Sequence, residues 1–310
     1  MWFKALRIYQ ASRAQDWTSE KLEKALAGKP FRHCAHQEEM TAGWVAPTGG
    51  SSKLLGQNGH WLLKLKIEEK ILPAAVVREH LEARLKEIER SEGRKPGRKE
   101  RQNLTDELRM ELLPRAFTRS RSVWVWLDTE NQRVLLDATS DKTCELALNL
   151  LREGLGSLPV IPLATRLPPS QVMTRWLEEQ TPADLQVLDT CELRDPEDDK
   201  AVVRIKGQPL EGAEIAQHLS AGKRVTQLRL DWQEQLRFTL TDQLTFKSLQ
   251  FADELVEEAE NANPDQDPLV VLDTEFLLMS NTLSSLANRL ISLHEGLTDS
   301  LNPAQQSIRG

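Results

Sequence analysis

Twelve bases crowd into residues 84–121: Arg84, Lys86, Arg90, Arg94, Lys95, Arg98, Lys99, Arg101, Arg109, Arg115, Arg119 and Arg121, against seven acids. Guanidinium and ammonium groups at this density suit phosphate oxygens. Neutralising phosphates releases counterions, which gives an affinity that ignores base sequence and falls steeply with salt. The same composition also describes a solvated charged hairpin, and composition alone leaves the two readings level. The string from Leu112 to Arg121 sets Arg115, Arg119 and Arg121 around Phe117, which is either a core residue or an exposed anchor at an interface.

Other chemistry finds less support. The chain has no GxxxxGK[ST], GxGxxG or GxSxG, so nucleotide hydrolysis and α/β-hydrolase chemistry lose their main signatures. His33-Cys34-Ala35-His36 concentrates three metal-ligating groups but lacks a fourth, and reads as structural. Asp265, Asp267, Asp273 and Glu275 could hold the metal ions of a nuclease. No lysine follows Glu275, however, and a solvated acidic edge is the plainer reading. Trp124 and Trp126 share one strand face and could stack bases, although Val123, Val125 and Leu127 on the other face favour core packing.

The elements that must position these groups follow from hydrophobic spacing. Residues 2–10 alternate as a strand, Trp17 to Ala27 forms a short helix, and His60 to Ile67 returns to strand character. Gly43 to Gly50 reads as a turn-rich loop. Pro73 opens a helix whose apolar stripe is Val77, Leu81, Leu85 and Ile88, and Leu104, Leu108 and Leu112 repeat that stripe after the link at 93–99. Two such helices joined by a short Pro/Gly link form an antiparallel hairpin with the bases at its turn. Strands are expected at 123–127 and 133–137, a helix at 142–153, and a connector rich in proline near 165. Beyond it come a helix at 170–179, strands at 185–192 and 201–206, a helix at 211–220, three strands at 224–231, 235–241 and 244–250, and a long terminal helix. Links of two to four residues permit only antiparallel pairs, so the fold class is α+β, with an antiparallel sheet in each half. The expected division is a central domain of 1–72 and 115–165, a projecting hairpin at 73–114, and a second domain at 166–310.

Length and charge bound the rest. At 310 residues the chain exceeds one typical domain. No run approaches the roughly 18 apolar residues of a membrane span, and the first residues lack a secretory pattern, so a cytoplasmic protein is expected. Three scattered cysteines, Cys34, Cys144 and Cys191, supply no disulfide framework. The net charge of −7 conceals an asymmetry, since residues 251–310 carry 11 acids and 2 bases. An acidic terminal segment thus masks the basic zone, and such asymmetry points toward nucleic acid or another anionic surface. That segment is expected to face outward or to buttress a contact with another copy.

The chain resembles the bacterial recombination-associated RdgC family. The strings that carry the likeness are Trp2-Phe3-Lys4, Gly43-Trp44-Val45 with Pro47 and Gly49, Glu68 to Pro73, Leu113 to Phe117, Gly156 to Val160, and Asp231-Trp232-Gln233. Six short strings in order and at the right spacing are specific where each alone is weak. The resemblance implies a ring-shaped homodimer that threads duplex DNA without sequence preference, restrains RecA and serves replication-fork repair. It implies no catalysis and no cofactor, and a place on the nucleoid.

Carried over by position, the likeness sets Arg94 on a basic position at the hairpin tip with Lys95, Arg98 and Lys99 beside it, and with Arg101, Arg115 and Arg119 of the basic zone these are the expected DNA contacts of the first half. The likeness makes Phe117, with Arg115 beside it, the aromatic that helps close the ring against the other copy, and it puts Lys206 and Gln208 on a DNA-facing stretch. The chain departs from a relative at Gly207, where that relative carries a second lysine, and at Pro96-Gly97 within the tip. A metal-dependent nuclease and a protein-binding hairpin adaptor stand as alternatives.

Overall fold

Leu6 and Ile8 point into a core while Ala5 and Arg7, which alternate with them, do not, the period-two pattern of a strand with one buried face. The computed structural model describes residues 1–50, 52–57, 59–198, 200–261 and 267–301. In chain order the elements begin with β1 (Ala5–Ala11), α1 (Ser19–Ala27), β2 (Met40–Val45), β3 (Leu54–Gln57) and β4 (His60–Ile71). Next come α2 (Ala74–Glu92), α3 (Arg98–Leu112), a one-turn 3-10 helix at Leu113–Arg115, β5 (Phe117–Asp128), β6 (Arg133–Leu136), α4 (Asp141–Leu155) and β7 (Val160–Pro162). The chain continues with α5 (Pro169–Glu178), β8 (Leu185–Arg194), β9 (Val202–Lys206), α6 (Ala213–Ser220), β10 (Arg224–Trp232), β11 (Leu236–Thr241), β12 (Thr245–Phe251), α7 (Asp253–Asn261) and α8 (Pro268–Leu293). The molecule is α+β, with antiparallel strand pairing.

These elements pack as two compact units. The larger comprises residues 1–28, 46–63 and 124–310, and the smaller residues 29–45 and 64–123. Both boundaries that cut an element fall inside β4 and β5, which pass from one unit into the other.

In the larger unit the strand order runs β5-β6-β1-β12-β11-β10-β8-β9, with β7 also on β1. The two halves of the sequence therefore do not keep a sheet each, as expected. β1 pairs with β12, Leu6 opposite Phe246, and joins them into one sheet. That pairing spans some 240 residues of sequence, so no local pattern announces it. The buried face brings Leu6, Ile8, Phe246, Leu240, Leu228, Leu193 and Ile205 against Val172 and Trp176 of α5, Ile215 and Leu219 of α6, and Leu283 and Leu286 of α8. The meander β10-β11-β12 turns through Gln233, Glu234 and Leu244, all at positive φ, in links too short for a crossover.

The terminal segment divides into an exposed acidic helix and a buried apolar one. α8 is long and apolar enough to cross a membrane by length and composition. Yet Leu272, Phe276, Met279, Leu283, Leu286 and Leu290 are buried in this core, so the helix is a structural centre of the unit. The acidic character belongs to α7, whose Asp253, Glu254, Glu257 and Glu258 are exposed.

In the smaller unit Trp44, Leu65, Ile67, Val77, Leu108, Leu113 and Val123 are the buried apolar residues. β2 pairs with the distal half of β4, Gly43 opposite Lys66. Gly43 to Val45 is thus the end of a strand, where a loop was expected. The glycine serves close approach instead of a turn, because a side-chain carbon at Gly43 would collide with the backbone of Phe31. α2 and α3 form the expected hairpin. Pro73 stands at the N-cap of α2, and Gly93 closes that helix in the left-handed region at φ 65°, its N–H donating to Glu89 O. Val77 is the only buried residue of α2 and Leu108 the only one of α3, with Leu81, Leu85, Ile88 and Leu104 half-buried along the seam.

Candidate nucleic-acid interface

The solvent face of the larger sheet is basic. Side chains alternate along each strand, so the residues between the buried ones share the opposite face. On β9 these include Arg204 and Lys206. Arg204 pairs with Glu192 of β8, and Val202 with Arg194. Arg194 in turn opposes Arg224 of β10, and Glu192 opposes Gln227. The row continues through Arg229, opposite Thr239 of β11, to Lys247 of β12 opposite the same threonine. Side-chain contacts confirm the shared face: Lys247 Nζ donates to Gln227 Oε1 at 3.4 Å, and an Arg229 Nη donates to Gln250 Oε1 at 2.6 Å. Four strands, β9, β8, β10 and β12, thus array Lys206, Arg204, Arg194, Arg224, Arg229 and Lys247 on one surface, with Thr239 of β11 between Arg229 and Lys247.

Glu192 organises this face from beneath. Its carboxylate is almost wholly buried and accepts from Arg204 Nε at 2.8 Å, Arg194 Nη2 at 3.0 Å and Thr226 Oγ1 at 3.1 Å. Burial alone pushes the carboxyl up, but these hydrogen bonds outweigh it and hold the group below its usual range. Farther along, buried Asp231 fixes Arg237 at 2.7 Å.

The hairpin of the smaller unit carries its own charge. That unit holds 18 bases and 13 acids, whereas the larger holds 22 bases and 34 acids. At the turn Arg94 is held twice, by Glu92 at 2.7 Å and by both oxygens of Glu100 at 2.7 and 2.8 Å. Lys95 pairs with Glu89 at 3.4 Å. Arg98, Lys99 and Arg101 are exposed at the start of α3 and, among the described residues, enter no ion pair. Arg115 is exposed at the end of the hairpin, and Arg119 pairs with Glu69 at 2.9 Å. Phe117 begins β5 with 84% of its surface exposed, in the same unit as exposed Ile71, Val76 and Met110.

Lys206 lies on the basic sheet face. Gln208 does not share it, because Gly207 at φ 74° turns the chain at the sheet edge, and Gln208 Nε2 donates to Glu214 Oε1 at 3.3 Å. Sequence reading singled out Lys206 alone on this face and missed Arg194, Arg204, Arg224, Arg229 and Lys247. Period-two alternation in 202–206 and 227–231 was the available signal.

The remaining candidates are distributed otherwise. His33 Nδ1 lies 2.8 Å from the buried carboxylate of Glu68, which also accepts from the Cys34 N–H at 2.8 Å and from Ser120 Oγ at 3.3 Å. The His-Cys-Ala-His string is therefore tied down by a carboxylate. Asp267 caps α8 by accepting from Leu269 N–H, Asp273 is half-buried, and Glu275 pairs with the Met1 α-amino group. Asp265 lies outside the described residues. Among the described residues no three His, Cys, Asp or Glu side chains gather as metal ligands. Trp126 is buried and Trp124 packs against the core, as expected of core residues.

Comparison with known proteins adds the family. A family profile described as "Putative exonuclease, RdgC" matches residues 1–297. The recombination-associated protein RdgC of Enterobacter sp. (strain 638) is 41% identical over 300 residues, covering 96% of this chain and 98% of its own length. Those of Salmonella paratyphi B and Salmonella typhimurium are each 40% identical over the same shares. A profile match along nearly the whole chain, with identity of this level over its length, means that the chain belongs to the RdgC family of recombination-associated proteins.

Proposed function

We propose that this chain binds duplex DNA without reading its sequence, encloses it as a ring of two copies, and so restrains RecA-driven recombination in the service of replication-fork repair. The observation that carries the reading is the basic sheet face, where Lys206, Arg204, Arg194, Arg224, Arg229 and Lys247 lie on one side of the run β9-β8-β10-β11-β12. Bases presented from a sheet suit the regular phosphates of a duplex, and phosphate contacts carry no sequence information. Exposed Arg98, Lys99 and Arg101 extend the same chemistry to the hairpin.

Closure explains how weak contacts suffice. A ring keeps DNA by topology, so each phosphate contact can exchange freely while the complex persists and slides. Phe117, exposed in the LPRAF string, supplies an apolar anchor for the second copy. DNA occupied in this way is withheld from a recombinase that needs the same duplex. The proposed protein acts by occupancy, catalyses nothing, needs no cofactor and resides on the nucleoid in the cytoplasm.

The test is a salt-titrated binding series on linear duplex and covalently closed circles, with a mass measurement of the free protein and a prolonged incubation with magnesium or manganese. The expected result is a dimer that leaves DNA intact, holds circles longer than linear molecules, and shows log K falling linearly with log salt. Strand cleavage dependent on the metal, or a monomer with no duplex affinity at low salt, overturns the reading.

A further inference from the structure

The helix layer of the larger unit bears a second surface, opposite in sign to the sheet face. A groove beside α5 is made of two confluent depressions, one of about 670 Å³ between the end of α5, β8 and the link from β9 to α6, and one of about 240 Å³ between α5 and α6. Leu177, Leu210 and Glu211 line both, so the two are continuous. The apolar floor consists of Leu177, Leu210 and Ile215, and the rim carries Glu178, Glu179, Asp189 and Glu211. No lysine or arginine lines either depression, and none of the four rim carboxylates enters an ion pair among the described residues.

The position of this groove separates it from the DNA-facing surface. Ile215 and Leu219 of α6 and Trp176 of α5 pack on Leu193, Val225 and Leu228 of the sheet. The bases of β8, β9 and β10 point the other way, so an occupant of the groove leaves the basic face uncovered. An apolar floor and an unneutralised acidic rim ask for complementary features in one ligand. Apolar side chains at i, i+3 and i+4 fill the floor between two helices, while lysines and arginines on the flanks neutralise the rim. A small cation satisfies only the rim, and an apolar molecule only the floor.

We propose that the α5–α6 groove docks a basic amphipathic helical segment of a partner protein. Binding there joins that partner to DNA-bound protein without competition for phosphates.

The probe is a fluorescein-labelled synthetic helix of leucine and lysine with leucines at the stated spacing, tested by anisotropy against the full-length protein. Its controls are a scrambled peptide of the same composition and a leucine–glutamate helix. The expected result is saturable binding of the first peptide only. It should weaken at least about tenfold, some 1.4 kcal/mol, in Ala216→Arg, which fills the exposed edge of the groove, and in Glu179→Lys/Glu211→Lys, which reverses the rim. Both variants should keep the parental melting temperature and duplex affinity. Equal binding of the scrambled peptide, or undiminished binding by both variants, overturns the proposal. So does a change of oligomeric mass in Ala216→Arg, because the occupant is then a second copy of this chain. Duplex affinity is read in parallel, so failure of DNA binding is seen separately from failure of peptide docking.

Discussion

Arg94 grips Glu100 with two parallel hydrogen bonds across the hairpin turn, Nη1 to Oε2 at 2.7 Å and Nη2 to Oε1 at 2.8 Å. The hydrogen bonds and the charge of Glu100 strengthen the guanidinium's hold on its proton, and the same bonds draw the Glu100 carboxyl below its usual range. A phosphate that approaches Arg94 must displace this partner and Glu92 as well. Arg94→Gln is therefore expected to weaken duplex binding less than Arg98→Gln or Lys99→Gln at the same salt. Glu100→Gln should have the reverse effect, raising affinity and steepening the salt dependence by about 0.9 for one additional phosphate neutralised. Anisotropy on a labelled duplex between low and physiological salt measures both. If Arg94→Gln proves the most damaging of the three, the arginine leaves its carboxylates for DNA.

Buried Glu192 beneath Arg194 and Arg204 sets a second balance. The carboxylate fixes the two arginines and at the same time cancels part of their charge. Glu192→Ala removes the acceptor for two guanidinium groups and for Thr226 Oγ1. The expected loss of stability is roughly 1–2 kcal/mol, less than for a fully buried pair because both arginines reach solvent. Glu192→Gln keeps shape and much of the bonding but deletes the charge, and is expected to tighten duplex binding. Thermal unfolding and duplex titration of the two variants separate the effects. Because the carboxyl sits below its usual range in the folded protein, its stabilisation is present above about pH 4.5 and is lost as the pH falls through the lowered value.

Phe117 touches little of its own unit, with 84% of its surface exposed. Phe117→Ser should alter folding stability by no more than about 0.5 kcal/mol, as at other exposed positions. If the ring closes through this residue, the same variant releases closed circular DNA faster while its melting temperature stays put. A collapse in melting temperature, or unchanged release of circles, denies Phe117 that role.

These residues also mark where sequence reading succeeds and where it stops. The stripe of Val77, Leu81, Leu85 and Ile88, with Pro73 before it and Gly93 after it, specifies α2 locally, and the structure agrees to within two residues. The strands around 224–251 were legible for the same reason, since alternation and short polar links are near-neighbour properties. The basic sheet face was not. The contributing strands supply only one or two of its bases each, and Lys206, Arg229 and Lys247 come to share one face only through pairings that join distant segments. Gly43 misled for a related reason, because close approach by Phe31 and a turn demand the same residue. The pairing of β1 with β12, and the depth at which Glu192 sits, depend on the assembled core and leave no local mark.

His294 caps the end of α8 in a wholly buried site. Its Nδ1–H donates to Leu290 O at 2.6 Å, its Nε2 has no partner among the described residues, and the Trp176 ring stands edge-on with centroids 6.0 Å apart. Burial lowers the imidazole from its usual 6.5, and nearby Arg175 acts in the same direction, against the opposing effect of the Leu290 carbonyl. The folded protein therefore keeps His294 neutral where the unfolded chain protonates it. With the unfolded state binding more protons below pH 6.5, stability falls as the pH drops from 6.5 toward the lowered folded value, at most about 1.4 kcal/mol per pH unit from this residue. His294→Gln cannot titrate and should lose this component. Urea unfolding at pH 7.5 and 5.5 is the measurement: the parental protein should lose more stability between the two than His294→Gln does. Equal losses would mean that the imidazole accepts its proton without opening the helix terminus.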